Sequence, residues 1–131
     1  MRALDSNVLL RALLADDPRQ TALAQALLTS GEKLLVPITV LLEVGWVLRH
    51  QGMARAELAR VLRSLASSPC IELDEPEKVA AAIALFIAGA DLGDALHIAC
   101  AKDASPLLTF DRDFARRANK TARTRAVELL R

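Results

Sequence analysis

MRALDSNVLLRALLADD, residues 1–17, is the stretch that decides the fold. Two apolar residues, Ala3 and Leu4, lead into Asp5, and an apolar segment with helical spacing follows. The pattern predicts a strand that ends at Asp5 and a helix over Val8–Ala15. Asp5 then stands at the carboxyl end of a strand, which is where open α/β sheets carry their chemistry. It is either the cap of the helix or a site residue.

Strands and helices alternate along the rest of the chain. The further predicted strands are Leu34–Val36, Cys70–Leu73, Pro106–Thr109 and an edge strand at Ala126–Leu130. The further predicted helices are Pro18–Thr29, Ile38–His50, Met53–Leu65, Glu75–Ala88, Asp94–Ala104 and Phe114–Asn119. This alternation predicts an α/β fold with a central parallel sheet and helices on both faces. With no repeats or linkers, the 131 residues predict a single domain over 1–131.

The composition bears on the compartment and the partners. Cys70 and Cys100 are far apart and fit neither a zinc site nor a disulfide framework, so we expect buried free thiols in a cytoplasmic protein. No apolar run is long enough to span a bilayer, and Asp5 interrupts any signal peptide. Residues 112–131 hold seven of the 17 Lys and Arg, including Arg123 and Arg125, and only two acids. This basic end favours a polyanionic partner, although a solvated helix face accounts for the same charges.

Four acids stand where an acid is not expected. Asp5 and Asp111 follow predicted strands, Glu43 lies inside an apolar helix, and Asp94 opens the most apolar helix of the chain. The carboxyl ends of strands in a doubly wound sheet lie on one edge, so these side chains are expected to meet. Clustered carboxylates are costly without a counter-charge, and a divalent cation supplies one. Ligands that are all oxygen select Mg²⁺ or Mn²⁺, which can activate water for attack on a phosphodiester.

Each of these acids also has an ordinary explanation. Asp5 and Asp94 could cap helices, and Asp111 could serve a turn. Glu43 could pair with Arg49 or extend into solvent. These explanations do not exclude metal binding, because a capping carboxylate can also be a ligand.

The motifs that contain these acids resemble those of the PIN-domain nucleases and, within them, the VapC-type toxins of bacterial toxin–antitoxin modules. The resemblance covers essentially the whole chain. Its motifs occur in order as LDSNVLLR at Leu4–Arg11, TVLLE at Thr39–Glu43, GDALHIA at Gly93–Ala99 and LTFDRDF at Leu108–Phe114.

The resemblance implies a three-layer α/β/α fold and an acidic site for Mg²⁺ or Mn²⁺. The site would consist of Asp5, Glu43, Asp94 and Asp111, with Asp113 as a second candidate for the last acid and with Asn7, Thr39 and Thr109 as supporting polar residues. It also implies an endoribonuclease that cleaves single-stranded or looped RNA, is blocked by a small antitoxin protein and forms a homodimer. Arg112 and Arg116, the basic residues nearest the site, are expected to bind RNA phosphates. The apolar helices Val8–Ala15 and Met53–Leu65 are expected to form the antitoxin or dimer surface.

Other interpretations stay open at this point. The chain could be a non-catalytic module that binds nucleic acid or protein, or a housekeeping RNA-processing nuclease of the same fold. Asp94 and His97 are spaced as in some metal sites, but a di-iron bundle needs further Glu residues that the chain lacks, so we expect His97 to be buried or to support the site. His50 is expected to end its helix.

Overall fold

The computed structural model describes residues 1–101, 104, 106–121 and 127–131. Arg123, Arg125 and the first residue of the predicted edge strand, Ala126, lie outside the described residues. The chain forms two compact units, Met1–Pro76 and Glu77–Arg131, which are described separately.

The first unit is a three-stranded parallel sheet with four helices. Its elements are β1 (Arg2–Ala3), α1 (Ser6–Leu14), α2 (Pro18–Leu28), β2 (Leu34–Val36), α3 (Ile38–His50), α4 (Arg55–Ser67) and β3 (Ile71–Leu73). The strand order is β1-β2-β3, with Arg2 opposite Leu34 and Leu34 opposite Ile71. Leu34 and Val36 of the central strand are fully buried, as the apolar sequence of a parallel strand requires. Helix α1 packs against α2 and α3, and α4 packs against α3 and β3.

Local sequence signals explain the helix boundaries of this unit. Pro18 begins α2, and the Asp17 side chain accepts a hydrogen bond from the Gln20 amide at 3.1 Å. This is the cap that the sequence predicts, with proline in the first turn where no amide donor is needed. Helix α1 ends after Leu14, because the next residue, Ala15, has a left-handed backbone with φ of 53°.

The described residues of the second unit form three helices and two parallel strands. These elements are α5 (Pro76–Ile87, which begins at the last residue of the first unit), α6 (Leu92–Cys100), β4 (Leu107–Thr109), α7 (Arg112–Thr121) and β5 (Val127–Leu129). Ala115, Ala118 and Val127 form a buried cluster that brings α7 onto the strands. The Asn119 side chain joins α7 to β5, because its amide donates to the Val127 carbonyl at 2.8 Å and its oxygen accepts from the Val127 amide at 3.2 Å.

The predicted α/β class is confirmed, since helices separate the strands and every strand pair in the described residues is parallel. Two expectations are wrong in detail. Helix α6 begins at Leu92 rather than Asp94. Both cysteines are free, but neither is buried, because Cys70 is half-buried and Cys100 is exposed. None of the helices in the described part of the chain has the length and apolarity that a bilayer crossing needs.

Candidate functional site

Two of the predicted acids line one cavity in the second unit. The cavity has a volume of about 530 Å³, and its wall includes Asp94 of α6, Thr109 at the end of β4 and Asp111 just after that strand. His97 and Cys100 of α6 also line it. The first turn of a helix and the carboxyl end of a parallel strand therefore place Asp94 and Asp111 in the wall of the same cavity.

Asp94 lies in the first turn of α6 but does not cap it. The cap is Asp91, whose Oδ2 accepts a hydrogen bond from the Asp94 amide at 3.3 Å. The capping explanation for Asp94 is thus wrong, and the Asp94 carboxylate accepts no hydrogen bond from the described residues. It is half-buried and faces a cavity, which is the situation of a side chain that is available to a ligand.

The surroundings of Asp94 disfavour its ionised form. Burial raises the pKa of its carboxyl above the ordinary value, and the negative charges of Asp91 and Asp111 raise it further. His97 and Arg117 act in the opposite direction without cancelling the rise in pKa. An additional positive charge in this cavity would therefore relieve the electrostatic cost of the Asp94 carboxylate.

Asp111 caps a helix and lines the cavity at the same time. Its Oδ1 accepts a hydrogen bond from the Phe114 amide at 3.0 Å at the start of α7, and its own amide donates to Thr109 Oγ1 at 3.0 Å. The bond to Phe114 orients the Asp111 side chain, and the bond to Thr109 holds the Asp111 backbone at the end of β4. The Oδ2 atom takes no part in the cap.

Asp113, the second candidate for this position, has a different environment. Its carboxylate forms an ion pair with Arg116 at 2.9 Å on the exposed surface of α7. Within the part of the chain that the structure describes, Asp111 and not Asp113 lines the cavity with Asp94. The geometry therefore favours Asp111 as the fourth acid. Arg112 and Arg116 are both exposed on α7, as their predicted contact with RNA requires.

In the first unit, Asp5 occupies the cap position of α1 without capping it. Its backbone is extended, but its side chain makes no cap hydrogen bond. The carboxylate instead accepts from the Asn7 side-chain amide at 3.3 Å. Asp5 is exposed, so its oxygens remain available for a further ligand, and Asn7 is placed to orient it.

Thr39 and Glu43 lie one turn apart on α3, and both side chains are exposed. The alternative pairing of Glu43 with Arg49 is not found, because the Arg49 guanidinium donates to the Met53 carbonyl at 2.7 Å. Within the described residues, Glu43 has no ion-pair partner. Glu43 therefore extends into solvent as an unpaired acid on a mostly apolar helix.

The sequence analysis missed the residue that fixes the start of this helix. Pro37, at the cap position of α3, provides no side-chain acceptor, and the Ile38 amide donates instead to Asp74 Oδ1 at 2.8 Å. Asp74 directly follows β3 and is 36 residues away in sequence. The sequence does show that Pro37 lacks a capping side chain, but it does not show which residue accepts the hydrogen bond of the Ile38 amide.

The complete four-acid cluster stays a prediction. Asp5 and Glu43 belong to the first unit, whereas Asp94 and Asp111 belong to the second. In residues 1–101, 104, 106–121 and 127–131, no group of three or more His, Cys, Asp or Glu side chains is arranged to hold a metal. The donor chemistry nevertheless fits a hard cation, because Asp94 and Asp111 offer carboxylate oxygens in one cavity.

Comparison with known proteins adds one finding to this geometry. The family model of the PIN domain matches residues 2–120, a range that includes residues of both units. Searches of curated proteins and of solved structures gave no match. Proteins with a PIN domain are generally nucleases and usually use divalent metal ions. The match confirms the predicted α/β/α fold class with parallel strands, and the chain belongs to the PIN domain family.

Proposed function

We propose that this protein is a metal-dependent endoribonuclease in which Asp5, Glu43, Asp94 and Asp111 hold Mg²⁺ or Mn²⁺. The observation that carries the proposal is the cavity at the carboxyl end of β4, where Asp94 and Asp111 face the same space. Two carboxylates that face one cavity are costly without a neutralising cation, and the described residues of this wall include His97 but no lysine or arginine.

In this proposal, side chains from both units are ligands of the cation. Asp94 and Asp111 hold the cation from the second unit, and Thr109 keeps Asp111 in place through its hydroxyl. Asp5, oriented by Asn7, and Glu43, one turn from Thr39, are the ligands from the first unit. When bound, the cation activates water for in-line attack on the phosphodiester and stabilises the leaving oxygen.

The RNA substrate is expected to contact the exposed face of α7. Arg112 follows Asp111 directly, and Arg116 lies one turn further along the helix. Both guanidinium groups are exposed, so they can reach phosphates on either side of the cleaved bond. The ion pair of Arg116 with Asp113 lies at the surface, where such pairs are weak, and it can be exchanged for a phosphate contact.

We further propose that the chain is the toxin of a type II toxin–antitoxin module and forms a homodimer. Two grooves on the first unit support a protein partner. One of about 330 Å³ between α1 and α2 is lined largely by apolar side chains, including Val8 and the exposed Leu23. The other, of about 350 Å³, lies between α1 and α4 and includes Leu13 and Val61. These surfaces include both helices that the sequence analysis assigned to partner binding.

An RNA cleavage assay with a matched pair of variants tests the nuclease. Purified protein is incubated with a labelled circular RNA in Mn²⁺ or in EDTA, because only an endonuclease can cut a circle. We expect cleavage in Mn²⁺, none in EDTA, none by Asp94→Asn, and near-normal cleavage by Asp113→Asn. Cleavage by Asp94→Asn at the wild-type rate would refute the assignment of the site.

The same proteins separate the remaining alternatives. A non-catalytic binding module would retain RNA in Mn²⁺ without cutting it. A housekeeping nuclease would cut RNA in vitro, but its expression would not arrest growth. For a toxin, we expect induced expression to arrest growth and Asp94→Asn to relieve the arrest. A short reading frame next to the gene, encoding a protein that binds and inhibits this one, would identify the antitoxin.

A further inference from the structure

Helix α3 presents an exposed aromatic pair that the nuclease proposal does not use. The Trp46 side chain is 60% exposed, although tryptophan is usually largely buried. Its ring stacks on the ring of His50 with centroids 4.2 Å apart and planes 21° from parallel. The stack restricts the rotation of the indole, so Trp46 offers a pre-oriented aromatic surface to solvent.

The pair lies in the same row of α3 as the predicted ligand Glu43. At about 100° per residue, Thr39, Glu43, Trp46 and His50 fall within about 60° of one another around the helix axis. All four are exposed. At a rise of about 1.5 Å per residue, Trp46 is displaced from Glu43 by about 4.5 Å along the helix axis. This displacement is of the same order as the axial spacing between neighbouring nucleotides of one strand, about 3.4 Å.

The neighbours of Trp46 favour a nucleic-acid base over a protein surface as the occupant. Trp46 is the only exposed large apolar residue of α3, and the exposed residues three or four positions away on the helix are polar: Glu43, Arg49 and His50. A single indole offers at most about 250 Å², whereas a stable protein interface buries about 800 Å² on each partner around an apolar core. Arg49, which is exposed three residues after Trp46 on α3 and donates to the Met53 carbonyl, adds a positive charge to this end of the helix that complements a phosphate backbone.

We propose that Trp46 is a stacking platform for one unpaired base of the RNA substrate, next to the cleaved phosphodiester. The inference rests on the proposed function and adds a binding residue for single-stranded substrate. His50 is a positioning residue that holds the indole through the stack. Because every base has a flat π-face, this contact selects unpaired nucleotides over paired ones rather than a particular base.

Trp46 is the only tryptophan of the chain, which also lacks tyrosine, so its fluorescence reports directly on the contact. Short unstructured RNA is titrated into the Asp94→Asn protein, which is expected to bind without cutting. We expect the fluorescence to be quenched by this RNA but not by the same sequence in a duplex. By filter binding, Trp46→Ala should raise the Kd roughly 5- to 140-fold, with Trp46→Phe in between. Ile87→Ala, at a residue that is 48% exposed at the end of α5, is the matched control and should leave the Kd unchanged.

Cleavage kinetics and sedimentation complete the test. In the cleaving protein, Trp46→Ala should raise KM for single-stranded RNA with a smaller effect on kcat, and it should leave the oligomeric state unchanged. Unaltered RNA affinity and KM in Trp46→Ala would overturn the inference while the nuclease proposal stands. A change of oligomeric state with unaltered RNA affinity would overturn it in favour of a protein contact. If the wild-type protein neither binds nor cuts RNA, the proposed function fails and the inference fails with it.

Discussion

Removal of the Asp74 carboxylate by Asp74→Ala tests whether the start of α3 is held from the neighbouring strand. The first amide of the helix, at Ile38, donates to Asp74 Oδ1 at 2.8 Å, and Pro37 offers no side-chain cap. Loss of the acceptor leaves this amide without its partner and removes a negative charge from the amino end of the helix dipole. It also releases the helix that carries Thr39 and Glu43 from the carboxyl end of β3.

The expected cost follows from these two interactions. A capping side chain contributes about 1 kcal/mol, and a carboxylate at the amino end of a surface helix adds about 0.3–1 kcal/mol. We therefore expect Asp74→Ala to lower the free energy of unfolding by about 1–2 kcal/mol. For a chain of 131 residues this corresponds to a fall in Tm of roughly 4–7 °C. Asp74→Asn keeps an acceptor oxygen but loses the charge, and it should recover about half of the loss.

Asp17→Ala is the matched control, because Asp17 caps α2 in the same way but α2 carries none of the predicted site residues. Urea unfolding should show comparable losses of stability in the two alanine variants. RNA cleavage, measured at a temperature at which both variants are folded by circular dichroism, should fall in Asp74→Ala through kcat and stay normal in Asp17→Ala. Stability of Asp74→Ala within about 0.3 kcal/mol of the wild type would refute the reasoning, as would an equal loss of activity in both variants.

Three further predictions concern other parts of the molecule. The pKa of Asp94 is raised in the folded chain, so the free energy of unfolding in EDTA should fall as the pH rises from the ordinary pKa of 3.8 through the folded pKa. Asp94→Asn should abolish this fall and be the more stable protein at pH 7. Equal pH profiles of the two proteins in urea unfolding would contradict this. Mn²⁺ at 100 times its Kd should stabilise the wild type by about 2.7 kcal/mol in a thermal shift assay and Asp94→Asn much less, whereas equal shifts would contradict a ligand role for Asp94. Leu58→Ala, at a fully buried position, should lower the free energy of unfolding by about 2–5 kcal/mol. Leu23→Ala, at an exposed position, should lower it by less than about 0.5 kcal/mol, and similar losses in the two variants would contradict the assigned core.

Much of the fold could be predicted because its signals are local. Helix α2 begins at Pro18 after a capping Asp17, and α3 runs over Ile38–His50 as its apolar periodicity indicates. The start of α6 was misassigned for an equally local reason. Asp91 and Asp94 stand three residues apart, and either could cap a helix; only the path of the backbone determines that Asp91 does so.

The candidate site was predictable in its residue types but only partly in its geometry. Asp94 and Asp111 were expected to meet because acids at strand ends and helix starts share a sheet edge, and they line one cavity. The role of Asp74 could not be predicted, because its hydrogen bond to the Ile38 amide spans 36 residues. The exposure of Trp46 could not be predicted either, because an apolar residue in an apolar helix is ordinarily buried.

The sequence by itself determined the order of strands and helices and the parallel α/β class. It also identified the acids whose positions an ordinary apolar core does not explain. These properties follow from the periodicity, caps and breakers of short segments, which act over a few residues. The tertiary structure decided which acid caps and which faces the cavity, which distant carboxylate begins α3, and which aromatic ring meets solvent. Those outcomes depend on contacts between segments far apart in the chain, and no local pattern encodes them.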